Sequence, residues 1–198
     1  PPTARSGAMG LVKPSVAPSF AALDERYFAP GLPVTVRPGH IGDRHDIDRM
    51  LDFSAPWIEA RSRWHLVGQS SHVPTFISAL HYVEDGRGLI CVLQTSSGSI
   101  VGYAFVLNLG SRYETGLLTF DMVLHPHYLD HGVTLARGTL ELAEEARLDT
   151  VHALVAACDQ EKLQIVQLVG FAEQYRFARS FGLPGEDPCD VLLLRAEG

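Results

Sequence analysis

Apolar and polar positions fall along this chain in blocks long enough to define elements. From Leu117 to Leu124 the run LLTFDMVL is apolar except at Thr119 and Asp121, which gives it the length and residue types of a buried strand. A polar turn, HPHYLDHG, follows, and VTLARGTLELAEEA then spaces Val133, Ala136, Leu140 and Ala143 along one face of a helix. A second apolar run, VHALVAAC from Val151 to Cys158, leads into DQEKLQIVQLV, where Leu163, Val166 and Val169 share a helical face, and then into Gly170-Phe171. The order is strand, helix, strand, helix. Upstream, GLICVLQ and SIVGYAFVLNL flank the polar turn TSSGS and predict a hairpin. CDVLLLR, from Cys189 to Arg195, reads as a closing strand after a loop marked by Pro184-Gly185 and Pro188.

Two regions lack this clarity. Residues 1–33 hold six of the twelve prolines and little periodicity beyond SFAALDERYF, so they are expected to form a tail or linker with one short packing segment around Phe20 to Phe28. The chain opens at Pro1 without an initiator methionine, as a processed, truncated or tagged product would. Residues 54–82 show helix-like spacing in APWIEARSRWHLV and VPTFISALHYV, interrupted by Gly68 and Pro74.

The turn between the first strand and helix is where chemistry is expected. The first N–H groups of a helix have no partner within it, and the positive end of the helix dipole lies behind them, so the turn is a candidate phosphate cradle. Gly132 at its entrance, lacking a Cβ, would let phosphate approach the backbone. No GxxxxGK[ST] loop occurs, and Gly98, Gly102, Gly110 and Gly116 form no dinucleotide fingerprint ahead of a helix. His125, His127, His131 and Asp130 are metal-ligating types, but their loose spacing across a turn fixes no common face, and no metal is expected.

The order of elements, together with His125-Pro126 followed by Leu129, Asp130, His131, Gly132, Val133 and Thr134, resembles the core of the GNAT N-acetyltransferase superfamily. That family's pyrophosphate loop reads Gln/Arg-x-x-Gly-x-Gly/Ala after a His-Pro or Asp-Pro pair, and its second signature is an Asn eleven residues before Gly-Phe; here Asp159 stands eleven before Gly170. VTVRPGHIGDRHDIDRML, from Val34 to Leu51, has the shape of the family's opening strand and helix, and IVGYAFV resembles its third strand. The resemblance covers Val34 to about Leu194 and implies a GNAT-like domain over 34–198. Its implied architecture is α/β (α+β), with a mixed, mostly antiparallel central sheet that is flanked by helices and splayed near its centre.

It also implies acetyl-CoA as cosubstrate. The pantetheine would pair with the backbone around Val123 and Leu124, the pyrophosphate would meet the amides of His131, Gly132, Val133 and Thr134 behind Leu129 and Asp130, and Asp159 would stand beside the pantetheine arm. The chain departs from the pattern at several of these positions. Leu129 replaces Gln/Arg, Thr134 replaces a small residue, Asp130 brings a carboxylate to the anion loop, and Val166 takes the place of a frequent catalytic Tyr. Asp159, where ionised, only accepts hydrogen bonds, whereas an Asn would also donate.

Acetyl transfer to an amine needs a base for the ammonium proton and donors that polarise the thioester carbonyl. Asp121, the one ionisable residue in LLTFDMVL, is the candidate base, since desolvation inside a strand raises a carboxyl pKa. The alternative is that Asp121 bonds a neighbouring amide or Thr119 and merely supports the sheet. His125, Tyr128 and Tyr175 are polar candidates with structural readings, and Trp57, Trp64, Phe76 and His81 could line an acceptor pocket or belong to the core.

At 198 residues and 46% hydrophobic, the chain can bury one core. Its net charge of −7 argues against nucleic acid or an anionic membrane as partner and favours a cationic acceptor such as an amine or a peptide amine. Three cysteines without CxxC pairing fit reduced thiols in a cytoplasmic protein, and no apolar run approaches the ~20 residues of a membrane span. Two functions stand open: an acetyl-CoA-dependent N-acyltransferase working by direct attack in a ternary complex, and a non-catalytic GNAT-like domain that binds acyl-CoA or a protein partner. A homodimer is also left open.

Overall fold

The structure, a computed structural model, describes residues 26–53, 76–108, 117–182 and 187–197. In chain order these form β1 (Val34–Pro38), a 3-10 turn, α1 (Arg44–Phe53), α2 (Phe76–Glu84), β2 (Gly88–Thr95), β3 (Ile100–Asn108), β4 (Leu118–Leu124), a second 3-10 turn (Pro126–His131), α3 (Gly132–Glu145), β5 (Val151–Ala156), α4 (Gln160–Leu168), β6 (Phe171–Phe181) and β7 (Cys189–Ala196). The described strands make one seven-stranded sheet in the order β1-β2-β3-β4-β5-β7-β6. Every neighbouring pair is antiparallel except β4–β5. The expected mixed, mostly antiparallel sheet flanked by helices is therefore present.

Both faces of the sheet's middle are covered, which explains why its strands read as unbroken apolar runs. A Cβ on Gly138 of α3 would lie 3.0 Å from Val36 on β1, and one on Gly102 of β3 would lie 3.3 Å from Leu135 of α3, so α3 crosses β1 to β3 on one face. The helices α1 and α2 pack against β2, β3 and each other, and since α3 already covers those strands on one side they must lie on the other. In β3, eight consecutive residues from Ile100 to Leu107 are buried. Burial pushes the Cys91 thiol of β2 up to about 11, against a hydrogen bond with Thr139.

The two parallel-strand connections, β4–α3–β5 and β5–α4–β6, run the same way across the sheet. Right-handed crossovers therefore put α3 and α4 on the same face. The start of α3 meets the second half of α4: a Cβ on Gly132 would come within 2.4 Å of Ile165 Cδ1. The glycine expected to admit a phosphate in fact admits the neighbouring helix, and its φ of −57° makes no demand of its own.

Part of the segment assigned to the N-terminal tail is described. Phe28 is 2% exposed and its ring stacks on His125 with centroids 4.5 Å apart, while Tyr128 donates its hydroxyl proton to the Ala29 carbonyl. Phe28 and Ala29 thus pack on the turn between β4 and α3. The strand β6 has no counterpart in the sequence reading. It is an edge strand, exposed from Glu173 to Ser180, so nothing imposes alternation on it.

Candidate functional site

The centre of the molecule is a gap between two strands. β4 and β5 pair at Leu118↔Val151, Thr119↔His152 and Phe120↔Ala153, and there the ladder stops. β4 continues on β3 to Leu124, and β5 continues on β7 to Ala156. Because the strands are parallel, the helices that follow them both begin at this open end. The splay and two helix N-termini thus converge through topology alone.

The alternation of β4 decides which backbone groups face the gap. His125 donates its N–H to the Val101 carbonyl on β3 at 2.8 Å. In a strand, residues two apart point the same way, so the amides of Val123 and Asp121 also turn to β3, while those of Met122 and Leu124 turn to the gap. The Met122 amide is taken by the Asp121 carboxylate at 2.8 Å. Of the two residues expected to pair with the pantetheine, Leu124 thus has its amide on the gap side and Val123 has its amide on the β3 side.

At the start of α3 the N-cap, His131, makes no side-chain capping bond, Val133 is half-buried and Thr134 is exposed. Gly132 donates its own N–H to the Leu129 carbonyl, so of the four amides expected to meet a pyrophosphate this one is already engaged. The Asp130 side chain is 78% exposed and stands 3.9 Å from His131 Nε2, so it points to water rather than into the cradle. Leu129 is half-buried against the core. An uncapped helix start beside unpaired strand edges has the donor set an acyl-CoA needs, so these residues fit that group.

Asp121 and Lys162 occupy the gap itself. Asp121 faces Phe105 across β3, so its side chain lies on the sheet face opposite α3 and shares that face with Tyr103. Burial, and then the charge of Asp121, push the Tyr103 phenol above its ordinary range. Lys162 rises from the first turn of α4, on the α3 face, and its Nζ donates to Asp121 Oδ1. The lysine chain therefore reaches through the gap from one face to the other. Both side chains are 0% exposed. Burying two charges is tolerated only where they meet, and removing either one leaves the other uncompensated.

Lys162 escaped the sequence reading, although a signal existed. It stands three, four and seven residues before Ile165, Val166 and Val169, on the face that packs inward, and a lysine at that spacing asks for a buried partner. Asp159 is buried as the N-cap of α4, where its Oδ1 accepts from the Lys162 amide at 3.1 Å. Val166, fully buried one turn beyond Lys162, offers no proton.

Other candidates serve structure. His125 is fully buried, and its Nδ1 accepts from the His127 amide at 3.2 Å; His127 Nδ1 lies 3.0 Å from the Phe28 carbonyl. Tyr128 is also fully buried. His81 is exposed and pairs with Glu84 at 3.3 Å, and Tyr175 is 59% exposed on β6. Trp57 and Trp64 lie outside the described residues, as does the side chain of Phe76. Among the described residues no three His, Cys, Asp or Glu side chains cluster as a metal would require, and no helix is long and apolar enough to cross a membrane. A cleft of about 430 Å³ opens at the other end of the sheet, between Arg137, Glu141, Leu148, Asp149 and Arg195. It holds no buried acid or base, whereas the splay holds both.

No protein-family model matches the sequence, and no curated protein does. Solved structures do match the fold. An acetyltransferase of the GNAT family from Streptococcus pneumoniae superposes with a TM-score of 0.62 at 15% identity, over 82% of this chain and 98% of that one. Ribosomal-protein-S5-alanine acetyltransferase from Vibrio fischeri gives 0.63 at 14% identity, over 82% and 91%. Spermidine N-acetyltransferase from Vibrio cholerae, solved with CoA and spermine, gives 0.60 at 15%, over 82% and 94%. The chain has the GNAT fold.

Proposed function

We propose that the protein is an acetyl-CoA-dependent N-acetyltransferase that moves acetyl to an amine by direct attack in a ternary complex. The observation that carries this reading is the withdrawal of the β4–β5 ladder after Phe120 and Ala153, with the starts of α3 and α4 converging on the gap it leaves. The amides of His131, Val133 and Thr134 would hold the pyrophosphate, and the backbone of Leu124 would pair with the pantetheine. Acetyl-CoA supplies an activated acyl group, and the protein supplies position: aligning an amine with a thioester lowers the barrier. Asp121 is the base that takes the amine proton. An overall charge of −7 draws a cationic acceptor, and the spermine bound by one structural neighbour is of that kind.

A second reading, a domain that binds acyl-CoA or a protein partner without turnover, is favoured by one observation. The Asp121 carboxylate is already engaged by an ammonium.

Thermal unfolding with acetyl-CoA, free CoA and ATP tests the proposal. Ligand at about a hundred times its dissociation constant stabilises by about 2.7 kcal/mol, or roughly 5–10 °C for a chain of this size. A rise with both CoA species and none with ATP is expected; no rise with any of them contradicts binding. Loss of turnover in Asp121→Asn with CoA affinity retained separates the enzyme from the binding domain.

A further inference from the structure

We infer that Lys162 is the proton donor to the leaving thiolate and that Asp121 and Lys162 together form a proton relay across the gap. This rests on the acetyl-transfer reading above. Acyl transfer from a thioester needs a proton removed from the attacking nitrogen and one delivered to sulfur. The structure places an acid and a base in direct contact where the strands part, the carboxylate borne by β4 and the ammonium carried to it from α4. Among the described residues Lys162 is the one buried cation, and the next inward residue of its helix, Val166, has no proton to give.

The steps balance. The neutral amine attacks the thioester carbon, forming the C–N bond. As the C–S bond breaks, the nitrogen proton passes to the Asp121 carboxylate and an ammonium proton of Lys162 passes to the departing sulfur. Lys162, now a neutral amine, then recovers a proton from the Asp121 carboxylic acid through their shared contact, and the ion pair is restored without exchange with bulk water. Amine and acetyl-CoA become amide and CoA thiol, with no net proton change at the pair.

A purely structural ion pair would leave the sulfur of bound CoA unperturbed, and this separates the two roles. The full chain, Lys162→Arg, and the double variant Asp121→Leu/Lys162→Met are titrated with saturating CoA by following thiolate ultraviolet absorbance against pH. Binding is measured by calorimetry, and turnover with hydroxylamine as a small surrogate acceptor. The double variant removes both charges together, so neither is left buried alone. In the parent protein the thiol of bound CoA should ionise at lower pH than free CoA. Lys162→Arg should keep that shift and the affinity yet lose about 10²-fold or more in kcat, because a guanidinium holds charge but gives up no proton. The double variant should lose the shift. If the parent binds CoA and its thiol titrates as in the double variant, the relay is overturned and the acyl-CoA reading survives. Unchanged kcat in Lys162→Arg overturns it likewise. Failure of the parent to bind CoA overturns both.

Discussion

The two ends of the β4–β5 pair are built from the same strands and do opposite things. At the closed end, Leu118 to Phe120 and Val151 to Ala153 share a parallel ladder, and Phe120 packs on Phe171 with ring centroids 5.7 Å apart. At the open end, Asp121 to Leu124 and Leu154 to Ala156 each keep only their outer partner. Withdrawing a ladder leaves backbone groups without a strand partner, and the Met122 amide finds its partner in the Asp121 carboxylate. Continuous pairing produces core, and interrupted pairing leaves the gap where the proposed chemistry would take place.

The largest effects should come from breaking the charge pair at the open end and the packing at the closed end. Lys162→Met leaves the Asp121 carboxylate buried without its cation and should cost about 3–5 kcal/mol. Combined with Asp121→Leu, that loss should be largely recovered in urea denaturation, because a neutral apolar pair carries no desolvation cost. Phe120→Ala at the closed end should cost a similar ~3–5 kcal/mol, but there no second substitution of charge can restore it. Should the double variant stay as unstable as the single, the pair would be packing rather than electrostatics.

A smaller effect is expected where the helices meet. Gly132→Ala drives a methyl to 2.4 Å from Ile165 Cδ1 and should cost about 1–3 kcal/mol, relieved by Ile165→Val. A double-mutant cycle measures that coupling, and an absence of coupling would return Gly132 to the role first read from the sequence, access for phosphate.

The smallest effect concerns a charge pair that still touches water. Asp43 accepts from both terminal nitrogens of Arg37, at 2.9 and 2.7 Å, and from the His40 amide at 2.9 Å. Burial raises its pKa, yet Arg37 and the amide outweigh it, so the folded value lies below the ordinary one. A depressed carboxyl contributes its stability above the unfolded pKa of about 4 and loses it as pH falls through the folded value. Asp43→Asn should cost about 1.5 kcal/mol at neutral pH, and the gap between parent and variant should narrow below about pH 4. A gap that widens on acidification would contradict the assignment.

Much of this contrast could be read from residue order. Strands β2, β3, β4, β5 and β7 announce themselves because they are covered on at least one face, and the strand–helix–strand–helix order then carried the resemblance to the fold. The strand β6 did not, because an edge strand with Tyr175 and Phe177 both exposed has no buried face to enforce a period. At the site, Asp121 stood out as a lone charge in an apolar run. Lys162 was hidden, because a lysine in a polar-looking first helical turn looks solvated until its partner is placed across a gap 41 residues back in the chain. Gly132 was legible in place but not in cause, since what fills the space beside it depends on how α3 and α4 pack.

The most direct test is backbone amide NMR of the isotopically labelled protein during addition of acetyl-CoA. Shifts concentrated at Met122, Leu124, His131, Val133, Thr134 and the start of α4, with Leu118 to Phe120 and Val151 to Ala153 nearly unmoved, are what this account predicts. Shifts absent from the open end, or gathered instead around Arg137, Glu141 and Arg195, would contradict it.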